Sequence, residues 1–134
     1  MCSSIDETLD LVAAGILFAP DGFLGTSSIE LERICNGCGA ANAKFDFVPD
    51  TIYRHCIGSV CDVHDFMYSK GKTIKAKEEA DRVMLNNSLR LIERVAGWKK
   101  YLKPLMRRRA LKMYEAVNAY GGPAFWDGKD EKDT

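Results

Sequence analysis

Several things are scarce in these 134 residues, and each scarcity excludes something. Long apolar runs are missing: LVAAGILFA at 11–19 covers nine residues, well short of the roughly 20 a helix needs to cross a bilayer. Basic residues are missing from the start: Asp6, Glu7 and Asp10 precede that run with no Lys or Arg among them. This is the wrong polarity for a secretory signal peptide, so neither a transmembrane segment nor a Sec leader is expected. Convincing strand-like alternation, beyond one possible short piece, and internal repeats are missing too, which leaves a mainly α chain. Net charge is zero. The five cysteines, Cys2, Cys35, Cys38, Cys56 and Cys61, are an odd number, unlike a dense secreted disulfide framework, although one or two bridges fit.

What is present suits one domain. Charged residues are 28% and hydrophobic ones 46% of the chain, an ordinary globular balance. A single domain is expected over 1–126, followed by a charged flexible tail at 127–134, DGKDEKDT. Ser4 and Glu7 form a capping box ahead of Ile5, Leu9, Val12 and Ile16, which predicts a first helix. Residues 20–48 hold many glycines and little periodicity, and read as a long ordered loop. Pro49 and Asp50 suit a helix start, so a second helix is predicted from there to about Ser69, with Gly58 an internal weak point and Gly71 its terminator. A third spans roughly 74–96 on Ile74, Met84, Leu85, Leu91, Ile92 and Val95. A fourth is started or interrupted by Pro104 and ends at GGP, 121–123.

The chemistry concentrates in the stretch SVCDVHDFMYSKG, 59–71. Cys35 and Cys38 form C-x-x-C and Cys61 and His64 form C-x-x-H, four plausible ligands for structural zinc. Zinc would leave Asp65, Tyr68 and Asp81 without a role, and its second pair would lie late inside a helix. Read as helix geometry, Cys61, His64, Asp65 and Tyr68 share one side at i, i+3, i+4 and i+7. Asp65 is a hard oxygen ligand suited to calcium, and histidine suits proton transfer near neutral pH. Asp81 falls within the apolar stripe of the third helix, where a carboxylate is rare unless paired. Antiparallel packing of the two helices would bring it to His64 and Tyr68. The plainer alternative is a surface pairing with Arg82 or a lysine.

With those residues in view, VCDVHDFMY (60–68) resembles the active-site helix of the phospholipase A2 superfamily, Cys-Cys-x-x-His-Asp-x-Cys-Tyr. CNGCGAAN (35–42) is similar to its calcium loop, in the shorter bacterial, fungal and phage branch. ADRVML (80–85) is similar to the segment carrying the family's second aspartate. The resemblance covers roughly residues 35–90. It implies a core of two antiparallel helices bearing the active site, with an N-terminal helix, a calcium-binding loop and a C-terminal helix. It further implies calcium-dependent hydrolysis of the sn-2 ester of glycerophospholipids. His64 would be general base on water, Asp81 would orient it and Tyr68 would support Asp81. Calcium would be held by Asp65 and by the backbone carbonyls of Gly37, Gly39 and Ala41. Ile5, Leu9 and Val12 would wall the acyl channel. Val60, Met67, Ala80 and Asn87 stand where animal enzymes carry cysteines; the positions of Met67 and Ala80 are partners in one disulfide there, so that bridge is lost at both ends. Cys38 and Cys61 match a retained pair, and a Cys38–Cys61 disulfide is the one the resemblance implies.

Charge is uneven. From Arg94 to Lys112 there are eight Lys or Arg residues and no acid, a segment able to face something anionic or to be only a solvated helix face. Trp98, Lys99, Lys100, Lys103, Arg107 and Arg108 are the candidates for docking on a phospholipid surface; MRRRALK could equally contact nucleic acid or a partner protein, nucleic acid being the less expected partner. Lack of an export signal fits synthesis in a bacterial cytoplasm and delivery by a phage particle or specialised secretion machinery. The alternative of another class is a non-catalytic virion or interaction protein that keeps the fold without turnover.

Overall fold

The computed structural model describes residues 4–35, 51–52 and 55–126. Gly37, Cys38, Gly39, Ala41, Pro49 and the tail at 127–134 lie outside the described residues, as does Cys2. The described residues are mainly helical: α1 (Ile5–Ala13), α2 (Ser28–Ile34), a two-residue antiparallel pair β1 (Thr51–Ile52) and β2 (His55–Cys56), α3 (Gly58–Lys70), α4 (Ile74–Glu93), a 3-10 segment (Gly97–Leu102), α5 (Lys103–Tyr120) and α6 (Gly122–Trp126). No helix among them is long and apolar enough to cross a membrane.

Helix α1 begins as its capping box dictates, with the Ser4 hydroxyl accepting from the Glu7 amide at 3.2 Å. It stops at Ala13, earlier than the apolar pattern suggests. Gly15 takes φ +77°, and the Gly15 and Ile16 amides donate back to the carbonyls of Val12 and Leu11, each at 3.0 Å. That is the Schellman termination, which glycine permits without a Cβ penalty. Ile16 and Leu17 then pack as loop residues against the core instead of extending the helix face.

Two further expectations are corrected. The segment read as loop over 20–48 contains α2, capped by Ser27 through the Glu30 amide at 3.2 Å. The second long helix starts at Gly58, not at Pro49. Thr51 and Ile52 are extended and pair with Cys56 and His55, as β-branched residues prefer. Placing Gly58 first in the helix also avoids the cost of an interior glycine.

Only Gly71, Lys72 and Thr73 separate α3 from α4, so the two form an αα-hairpin. Gly71 is required by crowding: a Cβ there would meet the Phe125 ring at 2.9 Å and the Met67 carbonyl at 3.1 Å. Helix α4 buries Lys77, Ala80, Asp81, Met84, Asn87, Ser88 and Leu91 along one face at 3–4 residue spacing, with Val83 and Ile92 buried beside it, which keeps that face against its neighbours. Ile74, expected on that stripe, is 43% exposed.

The interior has two clusters. The larger is built from α3, α4 and α5 through Val60, Met84, Ile92, Met106 and Val117. The smaller joins α1, α2 and α3 through Ile5, Phe23, Leu31, Val63 and Phe66, with Phe23 and Phe66 edge to face at 5.1 Å. Each such side chain contributes about 1.5–3 kcal/mol on burial. Helix α3 belongs to both clusters, so its backbone is held from two sides and its side chains are aimed by packing.

Candidate active site

The hairpin brings His64 and Tyr68 of α3 onto Asp81 of α4. His64 Nε2 lies 2.9 Å from Asp81 Oδ1, and the Tyr68 hydroxyl donates to the same oxygen at 2.6 Å. The two rings are in contact, tilted by 45° with centroids 4.1 Å apart. His64 is 2% exposed, Tyr68 7% and Asp81 0%. The surface alternative for Asp81 is therefore not what is found. Its second oxygen, Oδ2, accepts from Lys77 Nζ at 2.8 Å, and that ammonium also donates to the carbonyls of Val117 and Asn118, each at 3.3 Å.

This arrangement sets the protonation states. Burial alone would push the Asp81 carboxyl up, but the hydrogen bonds from His64, Lys77 and Tyr68 outweigh it and hold the group below its ordinary 3.8. An ionised carboxylate only accepts, so His64 Nε2 is the donor in its contact with Asp81 Oδ1. Burial first, and then the charge of Asp81, push the Tyr68 phenol up, so it stays a neutral donor.

Asp65, next to His64 on α3, is partly exposed. Its position on the rim of the buried set and its hard oxygens suit a calcium ion. The other expected ligands, Gly37, Gly39 and Ala41, lie outside the described residues. No group of three or more His, Cys, Asp or Glu side chains arranged for a metal occurs among the described residues.

The cysteines divide. Cys56 and Cys61 are each disulfide-bonded, while Cys35 is a buried free thiol donating to the Asp62 carbonyl at 3.1 Å. Burial, then the charges of Asp62 and Asp65, push the Cys35 thiol up. The expected Cys38–Cys61 pairing falls on Cys38, outside the described residues.

Positions that the resemblance matches to absent cysteines are filled by other contacts. Val60 and Ala80 are fully buried in the larger cluster, and Met67 packs against both clusters. Asn87 holds the Phe18 backbone from both sides, accepting from its amide and donating to its carbonyl, each at 2.9 Å. Thr8 of α1 lies 2.6 Å from Asp62 Oδ2 and 2.9 Å from Ser59 Oγ, a buried polar contact fastening α1 to α3.

Sequence reasoning missed Lys77, Asn87 and the Thr8–Ser59–Asp62 contact. For Lys77 a signal existed: it precedes Asp81 by four residues, the spacing of a helical ion pair. On the other side of α3, a groove of about 370 Å³ is lined by Pro20, Phe66, Met67, Lys70, Ala76 and Glu79, apart from the His-Asp pair.

The candidate docking residues lie on the 3-10 segment and the first half of α5. Trp98 and Tyr101 are 71% and 75% exposed, and Lys100 Nζ sits 5.3 Å over the Tyr101 ring. Lys99 and Lys103 are half-buried and Lys100, Arg107 and Arg108 exposed. Lys103 donates to the Glu93 carbonyl at 2.9 Å, and Arg107 pairs with the Glu93 carboxylate.

Compared with known proteins, the chain matches no family model, no curated protein and no solved structure.

Proposed function

We propose that the protein is a calcium-dependent phospholipase A2 that hydrolyses the sn-2 ester of glycerophospholipids to lysophospholipid and fatty acid. The observation that carries the proposal is the buried contact of His64 Nε2 with Asp81 Oδ1 at 2.9 Å, with the Tyr68 hydroxyl on the same oxygen. A carboxylate fixed on Nε2 selects the tautomer with a basic Nδ1 and stabilises the imidazolium once a proton is taken, as the acid does in serine hydrolase triads. His64 would remove a proton from water through Nδ1 as that water attacks the ester carbonyl. The ester bond to the glycerol oxygen would then break, and His64 would return the proton to that leaving oxygen. Bound calcium, on Asp65 and the carbonyls of Gly37, Gly39 and Ala41, would supply positive charge for the substrate phosphate and the developing oxyanion.

The zinc alternative is less well supported. Of its four ligands, Cys61 is oxidised, Cys35 is held as a thiol and His64 is committed to Asp81. The non-catalytic alternative gives no reason for a buried histidine held in one tautomer.

The test is to incubate the purified protein with mixed phospholipid vesicles, with calcium or with EDTA, beside His64→Ala, and to identify products by mass spectrometry. Lysophospholipid and fatty acid should form only from the intact protein with calcium. Absence of product under every condition would move the proposal to the non-catalytic alternative, and tightly bound zinc in the same sample would revive the cysteine site.

A further inference from the structure

We infer that Lys77 is a positioning residue of the site, locking the Asp81 carboxylate in the orientation that serves His64 and fastening the end of α5 to it. The inference rests on the hydrolase proposal for its catalytic meaning, but its geometry stands on separate observations.

Lys77 is 7% exposed. A lysine is almost never that buried unless paired. Its ammonium has three N–H donors, and the structure supplies three acceptors: Asp81 Oδ2, the Val117 carbonyl and the Asn118 carbonyl. The donor set is therefore filled by protein, which leaves no N–H for substrate and excludes a direct catalytic part. The two carbonyls belong to the last turn of α5, where the helix dipole is negative; the Val117 carbonyl also accepts from the Gly121 amide at 2.8 Å. Asp81 and the α5 terminus together offset the cost of burying the ammonium.

The consequence for Asp81 is geometric. Its Oδ1 serves two groups, His64 and Tyr68, on one side. Without a donor on Oδ2 the carboxylate could turn about its Cβ–Cγ bond and give either oxygen to either group. With Lys77 in place that rotation costs a charge-assisted hydrogen bond. The residue that fixes the imidazole is thus itself fixed, from the same helix one turn earlier. Because misplacement of a reacting group by about 1 Å can cost about 100-fold in rate, Lys77 should act on kcat, without contributing to substrate binding.

Lys77→Met removes the donors while keeping the stem, Lys77→Gln keeps an N–H donor without the charge, and Lys77→Arg keeps the charge. The chain has only two histidines, so ¹⁵N-histidine spectra, with His64→Ala for assignment, report the His64 tautomer directly. Lys77→Met should lower kcat by about 100-fold with KM within about twofold, and should replace the single Nε2–H tautomer by a mixture, while Lys77→Arg recovers part of kcat. A wild-type kcat and an unchanged histidine spectrum in Lys77→Met would overturn the inference. So would a loss of activity that tracks only the fraction folded while the spectrum stays the same. If Lys77→Met does not fold by circular dichroism, Lys77→Gln is judged by the same two readouts. If the wild-type protein hydrolyses no lipid, the phospholipase proposal fails, and the histidine spectrum alone decides the role of Lys77.

Discussion

Asp81 concentrates the physics of the site in one side chain. It is fully buried and accepts hydrogen bonds from a histidine, a tyrosine and a lysine. Burial opposes its charge and these three donors favour it, with the balance below the ordinary 3.8. A carboxyl whose folded value is depressed lends stability that is fully present above its unfolded value and is lost as pH falls through the folded one. Wild-type protein and Asp81→Asn should therefore differ most in urea midpoint near pH 6, and the difference should shrink as pH is lowered past 3.8. A difference that stays constant with pH would mean that the carboxylate is not ionised in the folded protein. His64, Tyr68 and Asp81 were legible from sequence because helical spacing and one carboxylate out of place in an apolar stripe point at each other. For Lys77 the spacing to Asp81 was legible but its burial was not, because a charged residue in KAKEEAD reads as solvated until α5 is known to end beside it.

At the level of elements, boundaries were harder to read than faces. The apolar pattern runs through α1 into Ile16, yet Gly15 and its backbone bonds end the helix at Ala13, since one left-handed residue outweighs a continuing hydrophobic period. The chain leaving α1 then needs an anchor on α4, and Asn87 provides it. Its two bonds to the Phe18 backbone join segments 69 positions apart, at a position the resemblance assigns to a cysteine. A neutral amide pairing here does what covalent tethering would do elsewhere, at a smaller energy. Asn87→Ala should cost about 1–3 kcal/mol, the range for losing partners of buried polar groups, read as a lowered urea midpoint. An unchanged midpoint would show that the Phe18 backbone finds water as readily as Asn87. The short strands and α2 were not legible, because two-residue pairing and a two-turn helix leave too few positions for a period to register.

For the whole molecule, the proposed phospholipase activity raises the question of which surface would meet a lipid. Neutral overall charge hides a segregated surface, with Trp98 and Tyr101 exposed among the basic residues of the 3-10 segment and α5. Two of those residues, Lys103 and Arg107, also bind Glu93 at the end of α4, so the surface is attached to the same helix that carries Asp81. Amphipathic aromatic side chains with cations beside them, such as the 71% exposed Trp98, suit the headgroup level of a bilayer. Each basic residue near an anionic surface is worth about 1 kcal/mol. Neutralising Lys99 and Lys100 together should therefore weaken partition onto anionic vesicles by about 2 kcal/mol, or about 30-fold, with the loss fading at high salt as screening removes the attraction. Trp98→Ala should weaken binding at low and high salt alike, since its contribution is apolar, and wild-type tryptophan emission should shift to the blue on vesicles. Vesicle binding untouched by all three substitutions would place the lipid surface elsewhere on the molecule and leave this basic face to solvent or to a protein partner.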